Sequence, residues 1–458
     1  MSPTSTPNPN AMATSLETKE EPSLEARTAR LWKHLQEALD ADELENCMRC
    51  GFCQPACPTF QETGYEAASP RGRIALMKAV KDGFLVPDEA FRSQLDLCLG
   101  CRACEPACPS GVRYGRLLEQ AREALAAHAP TPWPIRLARK VVFAGVFPHP
   151  RRLQRLGRLL RFYQTSGLQR VVRKSGLLRL LPAHLRDMEA VLPVPSPRGV
   201  VETIGTRIPA KGAPVATVGL FRGCVMDVLY TETNVNLARL LSEAGFEVII
   251  PPEQTCCGAL HAHTGDTALA RQLARRNIAA FRRAGVDFVV LAAGGCGAML
   301  QEYAHLLPDD EGARWMGERV RDASQLLASC GRPLPLGRVE ATVTYQDSCH
   351  LRNVMGVHRE VRQLLSSIPG VTFRELPEAD RCCGSAGVYN LTQPEMAGRI
   401  LERKMGHVAR LSPDLVATGN PGCLLQMQLG LHRAGLDGAV RAMHWVDVVA
   451  EALDAAPR

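Results

Sequence analysis

One cysteine pattern occurs twice in this sequence and constrains the fold more than any other feature. The runs CMRCGFCQPACP (47–58) and CLGCRACEPACP (98–109) both read C-x2-C-x2-C-x3-C-P. This is the spacing of ferredoxin-type [4Fe–4S] sites, in which the last cysteine of each run binds the other cluster. Zinc sites typically use two cysteine pairs instead, and disulfides would imply secretion, which nothing else in the chain indicates.

The spacing therefore predicts two crosswise sets of metal ligands, each holding one [4Fe–4S] cluster. The first set, called quartet 1 below, consists of Cys47, Cys50, Cys53 and Cys108. The second set, called quartet 2 below, consists of Cys98, Cys101, Cys104 and Cys57. Because such clusters exchange one electron at a time, we expect the protein to carry single electrons.

Composition places the chain among globular proteins of two or three domains. It has 458 residues, of which 46% are hydrophobic and 22% charged. Of its seventeen cysteines, only Cys330 falls outside four groups of four. Metal-binding thiols need a reducing compartment, so we expect a cytoplasmic protein, peripheral at most on the inner face of the membrane. Residues 1–22 have the composition of a disordered tail, and no apolar run is long enough to span a bilayer.

Helical periodicity predicts a helical two-cluster domain over 23–130, followed by a basic segment and linker over 131–214. Between Arg136 and Arg186 there are thirteen Lys and Arg residues and no Asp or Glu. Two interpretations are open. The segment forms basic amphipathic helices that dock on an anionic membrane or an acidic partner, or its helices pack on a neighbouring domain with a solvated basic face. No nucleic-acid motif accompanies the charge, so we expect no nucleic-acid partner.

The C-terminal half is a duplication, with one copy over 215–335 and another over 336–458. The copies are called the first and second CCG copy, after the Cys-Cys-Gly that each contains. The first has Cys224, Cys256, Cys257 and Cys296, and the second has Cys349, Cys382, Cys383 and Cys423. Both alternate predicted strands and helices. The predicted fold class is α + α/β: a helical ferredoxin-type domain followed by a duplicated α/β half.

These eight cysteines have three open uses. They bind an iron–sulfur or related metal site in each copy, or one copy has lost its cluster and serves as scaffold, or they are redox-active thiols. Adjacent cysteines are geometrically unsuited to a disulfide with each other. The nearby His261, His263 and His350 are interpreted as neighbours of the cysteines and not as ligands. No dinucleotide fingerprint is present, so we expect no flavin on this chain.

The sequence resembles the iron–sulfur subunit of glycolate oxidase (glycolate dehydrogenase), within the wider group of CCG proteins. The resemblance rests on the two cysteine runs, SPRGRIALMK (69–78), CCGALH (256–261), GGCGAML (294–300), RCCGSAGVYNLTQPEMA (381–397) and TGNPGC (418–423). It implies an electron-transfer subunit without catalytic residues of its own. Flavin-containing partner subunits would oxidise glycolate to glyoxylate, with D-lactate as a further candidate substrate, and a membrane acceptor such as quinone would receive the electrons.

The resemblance leaves other functions open. Close relatives serve lactate or glycerol 3-phosphate dehydrogenases, and heterodisulfide reductase-like members reduce disulfides. An iron–sulfur assembly or adaptor module without turnover is a further alternative. Heterodisulfide reductase-like members close each CCG copy with CxxC, whereas here Ala293 and Asn420 stand at the earlier cysteine position. This departure argues against a five-thiolate site and leaves room for a four-thiolate one.

Overall fold

The fold is described by a computed structural model that covers residues 23–329 and 331–457. The predicted disordered tail (1–22) and Cys330 lie outside the described residues. Among the residues that are described, none of the helices combines the length and the apolar content that crossing a bilayer requires.

Short helices surround the two cysteine runs. Side-chain caps set their starts: Ser69 accepts from the amide of Gly72, and Asp88 accepts from the amide of Phe91. Asp40 caps a second helix in the same way, so the chain before the first cysteine run forms two helices. The α-helices are Leu24–Ala38, Ala41–Glu45, Cys53–Ala56, Pro58–Thr63, Pro70–Lys81, Glu89–Asp96 and Tyr114–His128, and Glu66–Ala68 is a 3-10 helix.

The basic segment is helical, as its periodicity predicts. It contains the α-helices Trp133–Arg139, Pro150–Thr165, Leu168–Lys174 and Ala183–Val191, the π-helix Lys140–Val146 and the 3-10 helix Leu177–Leu180. The Pro/Gly-rich stretch 193–214, predicted as a linker, contains more structure than its composition indicates. It includes the helix Val200–Ile204, whose first amide donates to Asp227 at 2.8 Å. It also supplies an edge strand to the sheet that follows.

Each CCG copy contains one small sheet. The first sheet has strands β1 (Arg207–Ile208), β2 (Ala216–Leu220), β3 (Phe246–Ile249), β4 (Phe288–Leu291) and β5 (Val320–Asp322), in the order β1-β3-β2-β4-β5. The second has β6 (Ala341–Gln346), β7 (Val371–Phe373), β8 (Leu415–Thr418) and β9 (Arg441–His444), in the order β7-β6-β8-β9. All pairings are parallel except that of β1 with β3. The duplicated sequence thus folds as a duplicated topology.

Helices cover both sheets. In the first copy they are Met226–Leu229, Thr231–Glu243, Ala259–His263, Thr267–Ala284, Gly294–Gln301, Tyr303–Leu306, Glu311–Arg319 and Ala323–Ser329. In the second copy they are Cys349–Asn353, Arg359–Ser366, Tyr389–Thr392, Pro394–Leu411, Pro421–Arg433 and Trp445–Asp454. One hydrophobic core joins the copies, since Val218 and Phe246 belong to the same buried cluster as Tyr345, Leu415 and Trp445.

The predicted α + α/β class is therefore confirmed. Strands and helices alternate in both copies, and each sheet ends with a parallel strand, β5 or β9, that the sequence pattern does not predict. Both are short and mix charged with apolar residues (VRD and RAMH). Such segments carry no readable alternation, and their pairing depends on tertiary contacts.

Candidate metal centres

The two ferredoxin-type loops have the same backbone shape. In each run the residues two and four positions after the first cysteine have positive φ: Arg49 (57°) and Gly51 (90°) in the first, Gly100 (65°) and Arg102 (59°) in the second. Left-handed residues reverse the direction of the chain. Non-glycine residues reach this region at a cost and need support from their surroundings. Arg102 has it, because its guanidinium pairs with Glu105 and with Glu302 of the first CCG copy.

Quartet 1 lies at the surface of the helical region. One cavity is lined by Cys47, Cys50 and Cys53 of the first run together with Cys104 and Cys108 of the second. Cys50 is exposed. The structure thus brings Cys108 to the first loop, and Cys104 of quartet 2 lines the same cavity.

Quartet 2 is buried. Cys57, Cys98, Cys101 and Cys104 are each less than a tenth exposed. Burial raises the pKa of Cys101 and Cys104 well above the ordinary thiol value, and nearby thiols, Cys57 among them, raise it further. Cys57 is therefore close to the thiols of the second run.

Positive charges and hydrogen-bond donors surround quartet 2. Burial alone would raise the pKa of Cys98, yet that pKa is lowered because Arg73 and Arg122 favour the thiolate. The Tyr114 hydroxyl donates to Cys98 Sγ at 3.5 Å, and the amide of Gly100 donates to the same sulfur at 3.4 Å. N–H and O–H donors to sulfur, together with cations, are the groups that stabilise and tune an anionic iron–sulfur cluster.

The donor set fits cubane clusters better than single ions. Over 23–329 and 331–457, no three His, Cys, Asp or Glu side chains converge closely enough to hold one metal ion. A [4Fe–4S] cluster takes four thiolates distributed around a larger body. Both quartets supply four cysteines, and quartet 2 adds compensating positive charge. The assignment of these eight thiols as cluster ligands stays a prediction.

The first CCG copy brings its four cysteines together where strands end and helices begin. Cys224 Sγ lies 3.6 Å from Cys256 Sγ, and Cys257 Sγ lies 3.3 Å from Cys296 Sγ. Cys224 follows β2, and Cys296 is in the helix that follows β4. Ligands of parallel sheets are usually found at this carboxyl edge.

The second CCG copy repeats this arrangement. The Cys349 thiol contacts Cys382, and the Cys383 thiol contacts Cys423. Asn420 Nδ2 donates to Cys423 Sγ at 3.7 Å. Three of these four cysteines are buried, and Cys349 is partly exposed.

Quartet 2 is in contact with the second CCG copy. Three side chains of that copy donate to carbonyls of the loop 97–101. The Tyr389 hydroxyl donates to Leu97 O at 2.9 Å, His350 Nε2 to Gly100 O at 3.1 Å and Asn353 Nδ2 to Cys101 O at 2.9 Å. Leu99 and Cys101 share a buried cluster with Cys382 and Tyr389. The second copy is thus the neighbour of the buried ferredoxin-type site.

The three histidines near the CCG cysteines bond to other groups. His261 Nε2 donates to Phe143 O of the basic segment at 2.9 Å, and His263 Nδ1 lies 3.2 Å from Glu119 Oε1. The rings of His263 and His350 stack with centroids 5.3 Å apart. These side chains connect the CCG copies to the N-terminal regions. Sequence reasoning had no signal for this role, which depends on how the regions pack.

The basic segment exposes many apolar side chains alongside its charges. Leu180 is 81% exposed, Leu159 64% and Phe162 62%. Part of the segment nevertheless packs inward, since Gly157 is buried and a Cβ there would meet Val228 of the first copy at 2.4 Å. Each of the two interpretations of this segment therefore has a structural counterpart.

Comparison with known proteins adds family assignments for most of the chain. Residues 43–112 match the 4Fe-4S dicluster domain, and residues 218–301 and 343–428 match the cysteine-rich (CCG) domain. Residues 134–192 match the linker region of the glycolate oxidase iron-sulfur subunit. The probable glycolate oxidase iron-sulfur subunit of Bacillus subtilis is 49% identical over 93% of this chain and 98% of its own length. The chain belongs to the family of glycolate oxidase iron–sulfur subunits. The resemblance noted in the sequence is thereby confirmed.

Other relatives show the breadth of this family. The glycolate oxidase iron-sulfur subunit of Escherichia coli is 33% identical over 91% of this chain and 96% of its own. Lactate utilization protein A of Oceanobacillus iheyensis is 30% identical over 51% of this chain and 96% of its own. Both glycolate oxidase relatives are described as iron-sulfur subunits.

Proposed function

We propose that the chain is the electron-relay subunit of a glycolate-oxidising complex, and that quartets 1 and 2 each hold a [4Fe–4S] cluster. The observation that carries this proposal is a continuous series of cysteine sites. It begins at exposed Cys50 in quartet 1, continues through buried quartet 2 and reaches the second CCG copy beside Cys101. Bound clusters would supply one-electron transfer along this series. The 49% identity to a probable glycolate oxidase subunit supports the substrate.

Quartet 1 is the end of the series that a partner can approach. Met48 and Phe52 flank Cys50, and each is 66% exposed. Apolar side chains of this size, exposed beside a redox site, suit a docking surface for another subunit. We propose that the flavin-bearing subunits dock here. The fold keeps the thiols of quartet 1 at the surface, where a partner can reach them, and shields those of quartet 2 from water.

The substrate can be tested by reducing the assembled complex with candidate donors under anaerobic conditions. Glycolate should bleach the visible iron–sulfur absorbance within seconds, and D-lactate should do so more slowly. Glycerol 3-phosphate should give no bleaching. If glycerol 3-phosphate reduces the centres faster than glycolate, the chain serves a different dehydrogenase. Full bleaching by dithionite in every sample checks that the centres are intact.

The docking surface can be tested in the same assay. Phe52→Glu should slow reduction by glycolate at least tenfold and leave reduction by dithionite unchanged, because the charge interrupts subunit contact and not the centres themselves. Phe84→Glu is a matched control, since Phe84 is 86% exposed on the same helical region but contributes nothing to the lining of the cavity at quartet 1. Equal slowing by both variants would place the contact elsewhere.

We propose further that the basic segment holds the subunit against an anionic membrane, where a quinone could accept the electrons. Its thirteen Lys and Arg residues with no Asp or Glu between Arg136 and Arg186 give the charge. Exposed Leu159, Phe162 and Leu180 give the apolar contact. Helices that lie in a membrane surface combine these two features.

Binding to vesicles should therefore depend on lipid charge and on salt. We expect cosedimentation with vesicles that contain phosphatidylglycerol and little with phosphatidylcholine alone, and 0.5 M NaCl should release the protein. Phe162→Asp should weaken binding severalfold, whereas Leu24→Asp, at another exposed leucine (67% exposed), should not. Equally weak binding to both kinds of vesicle would show that the charge serves a protein partner or only solubility.

A further inference from the structure

The two CCG copies differ in the side chains around their cysteines, and a constant offset relates the two pairs of helices that carry the compared positions. The helices Thr267–Ala284 and Pro394–Leu411 both have 18 residues and begin 127 positions apart. The helices that start at Gly294 and Pro421 keep the same offset and carry the last cysteine of each copy. Positions in these helices and just before the last cysteine can therefore be paired at an offset of 127, whereas the Cys-Cys-Gly motifs are 126 positions apart.

Lys404 of the second copy is paired with Asn277 of the first. Lys404 is 2% exposed, and its ammonium donates to Glu378 O. It is close enough to Cys383 and Cys382 for their charges to interact. Asn277 is neutral, and all of its side-chain hydrogen-bonding groups are occupied. Its Nδ2 donates to Cys256 O and Tyr303 Oη, and its Oδ1 accepts from the amide of Thr255. A buried ammonium needs compensating negative charge nearby. The carboxylates of Glu378 and Asp380 supply part of it, and thiolates at Cys383 and Cys382 would supply more.

Gln426 of the second copy is paired with Met299 of the first. Gln426 is 1% exposed, and its Oε1 accepts from Asn390, but its Nε2 has no hydrogen-bond partner. A Cβ added to Gly384, the residue after Cys383, would lie 3.4 Å from that nitrogen. The unused N–H group is thus next to the CCG loop, and a buried donor without an acceptor is costly.

Asn420 and Ala293 form the third pair. The Asn420 amide donates to Cys423 Sγ at 3.7 Å, and Ala293 has nothing to donate. At three paired positions the second copy therefore places an ammonium or an amide donor, where the first has a saturated amide, a thioether and a methyl group. Four thiolates around an iron–sulfur core carry net negative charge, which these groups would compensate.

We infer that the second CCG copy binds an iron–sulfur cluster through Cys349, Cys382, Cys383 and Cys423, and that the first copy keeps its cysteines as thiols. Binding releases the four thiol protons as the sulfurs coordinate iron. The contact between Cys101 and the second copy places this third centre next to quartet 2. The inference rests on the proposed function, because it extends the series of sites beyond quartets 1 and 2.

Iron and sulfide counting on the anaerobically purified full chain tests the inference. We expect about 12 irons and 12 sulfides per chain, which corresponds to three clusters. Cys383→Ala should lower the iron count to about 8, and the matched change Cys257→Ala in the first copy should leave it at about 12. Low-temperature electron paramagnetic resonance of the reduced protein should show one signal fewer in Cys383→Ala.

A second variant keeps every cysteine in place. Lys404→Asn combined with Gln426→Met gives the second copy the side chains of the first at two of the three paired positions. In this variant the third signal should be lost, or the third centre should be harder to reduce. In the second case its one-electron equilibrium constant for reduction should be at least tenfold lower, which is about 59 mV in potential. Circular dichroism of the variant, matched to wild type, establishes that the fold is retained.

The alternatives give distinct results. About 8 irons in the wild type would overturn the inference and leave the proposed two-cluster relay standing. About 16 irons, loss of iron in Cys257→Ala, or zinc in place of iron would also overturn it. Fewer than about 8 irons in a folded protein would contradict the proposed function itself.

Discussion

A Cys101→Ala variant is expected to lose electron flow from glycolate to an acceptor dye by at least a hundredfold in the assembled complex. Cys101 is a predicted ligand of quartet 2, and its backbone carbonyl accepts from Asn353 of the second CCG copy. Removing the thiol takes away one of the four predicted ligands of quartet 2, which lies between quartet 1 and the second CCG copy in the proposed relay. The remaining thiols are buried, so no water ligand can readily replace it. The measurement is steady-state dye reduction with glycolate as donor.

Two further measurements make this result specific. The variant should contain about four irons fewer than wild type, and its flavin-bearing partner should still be reduced by glycolate. Ser93→Ala, at an exposed residue of the same helical region, should leave both the rate and the iron content unchanged. A Cys101→Ala complex with full activity would show that electrons bypass quartet 2.

Arg73→Gln is expected to make the centre at quartet 2 harder to reduce. Arg73 is fully buried; its Nε donates to Gln94 O at 2.6 Å and its Nη2 to Thr59 Oγ1 at 3.1 Å. Burial alone would lower its pKa, but the thiolate of Cys98 and then Tyr114 and Cys57 raise it, so the residue stays charged. Reduction adds one electron to the centre, and without Arg73 that electron loses the main positive charge that stabilises it. The equilibrium constant for reduction should fall at least tenfold, about 59 mV for one electron.

Redox titration followed by electron paramagnetic resonance measures this shift for each centre separately. Arg73→Lys keeps the charge and should restore most of the potential, which a purely structural role of the guanidinium would not predict. Arg71→Gln is the matched control near quartet 1, because Arg71 is partly exposed and its charge is paired with Glu66 at 2.6 Å. A shift of the same size in Arg71→Gln and Arg73→Gln would mean that burial does not decide the effect.

The sequence was sufficient where function depends on spacing along the chain. Two cysteine runs of the same spacing predict a crosswise exchange, and the structure places Cys108 beside the first loop and Cys57 near the thiols of the second. Which thiols bind which cluster stays a prediction. The repeated CCG frame likewise predicted two α/β copies, and their sheets share one strand order apart from the extra edge strand β1 of the first. Such patterns survive in sequence because each ligand must stand at a fixed distance from the next.

The sequence was insufficient where a role depends on burial. Arg71 and Arg73 both lie in SPRGR, near the start of the helix Pro70–Lys81, and nothing in that string says which arginine faces the thiols. The structure separates them, since Arg73 is fully buried and Arg71 is not. In the same way, the pairing of Lys404 with Asn277 needs the helix bounds of both copies before it can be recognised. Tertiary packing, and not local periodicity, assigns these roles.

The core that joins the two CCG sheets has a consequence for how the duplication can evolve. Trp445 and Tyr345 of one copy pack in the same buried cluster as Val218 and Phe246 of the other, and His444 Nε2 donates to Ala292 O at 2.9 Å across the boundary. A copy that loses its original chemistry cannot be deleted, because its removal would expose this core to water. Such a copy is therefore retained as architecture: changing its cysteines would leave this core intact, whereas changing its hydrophobic residues would not.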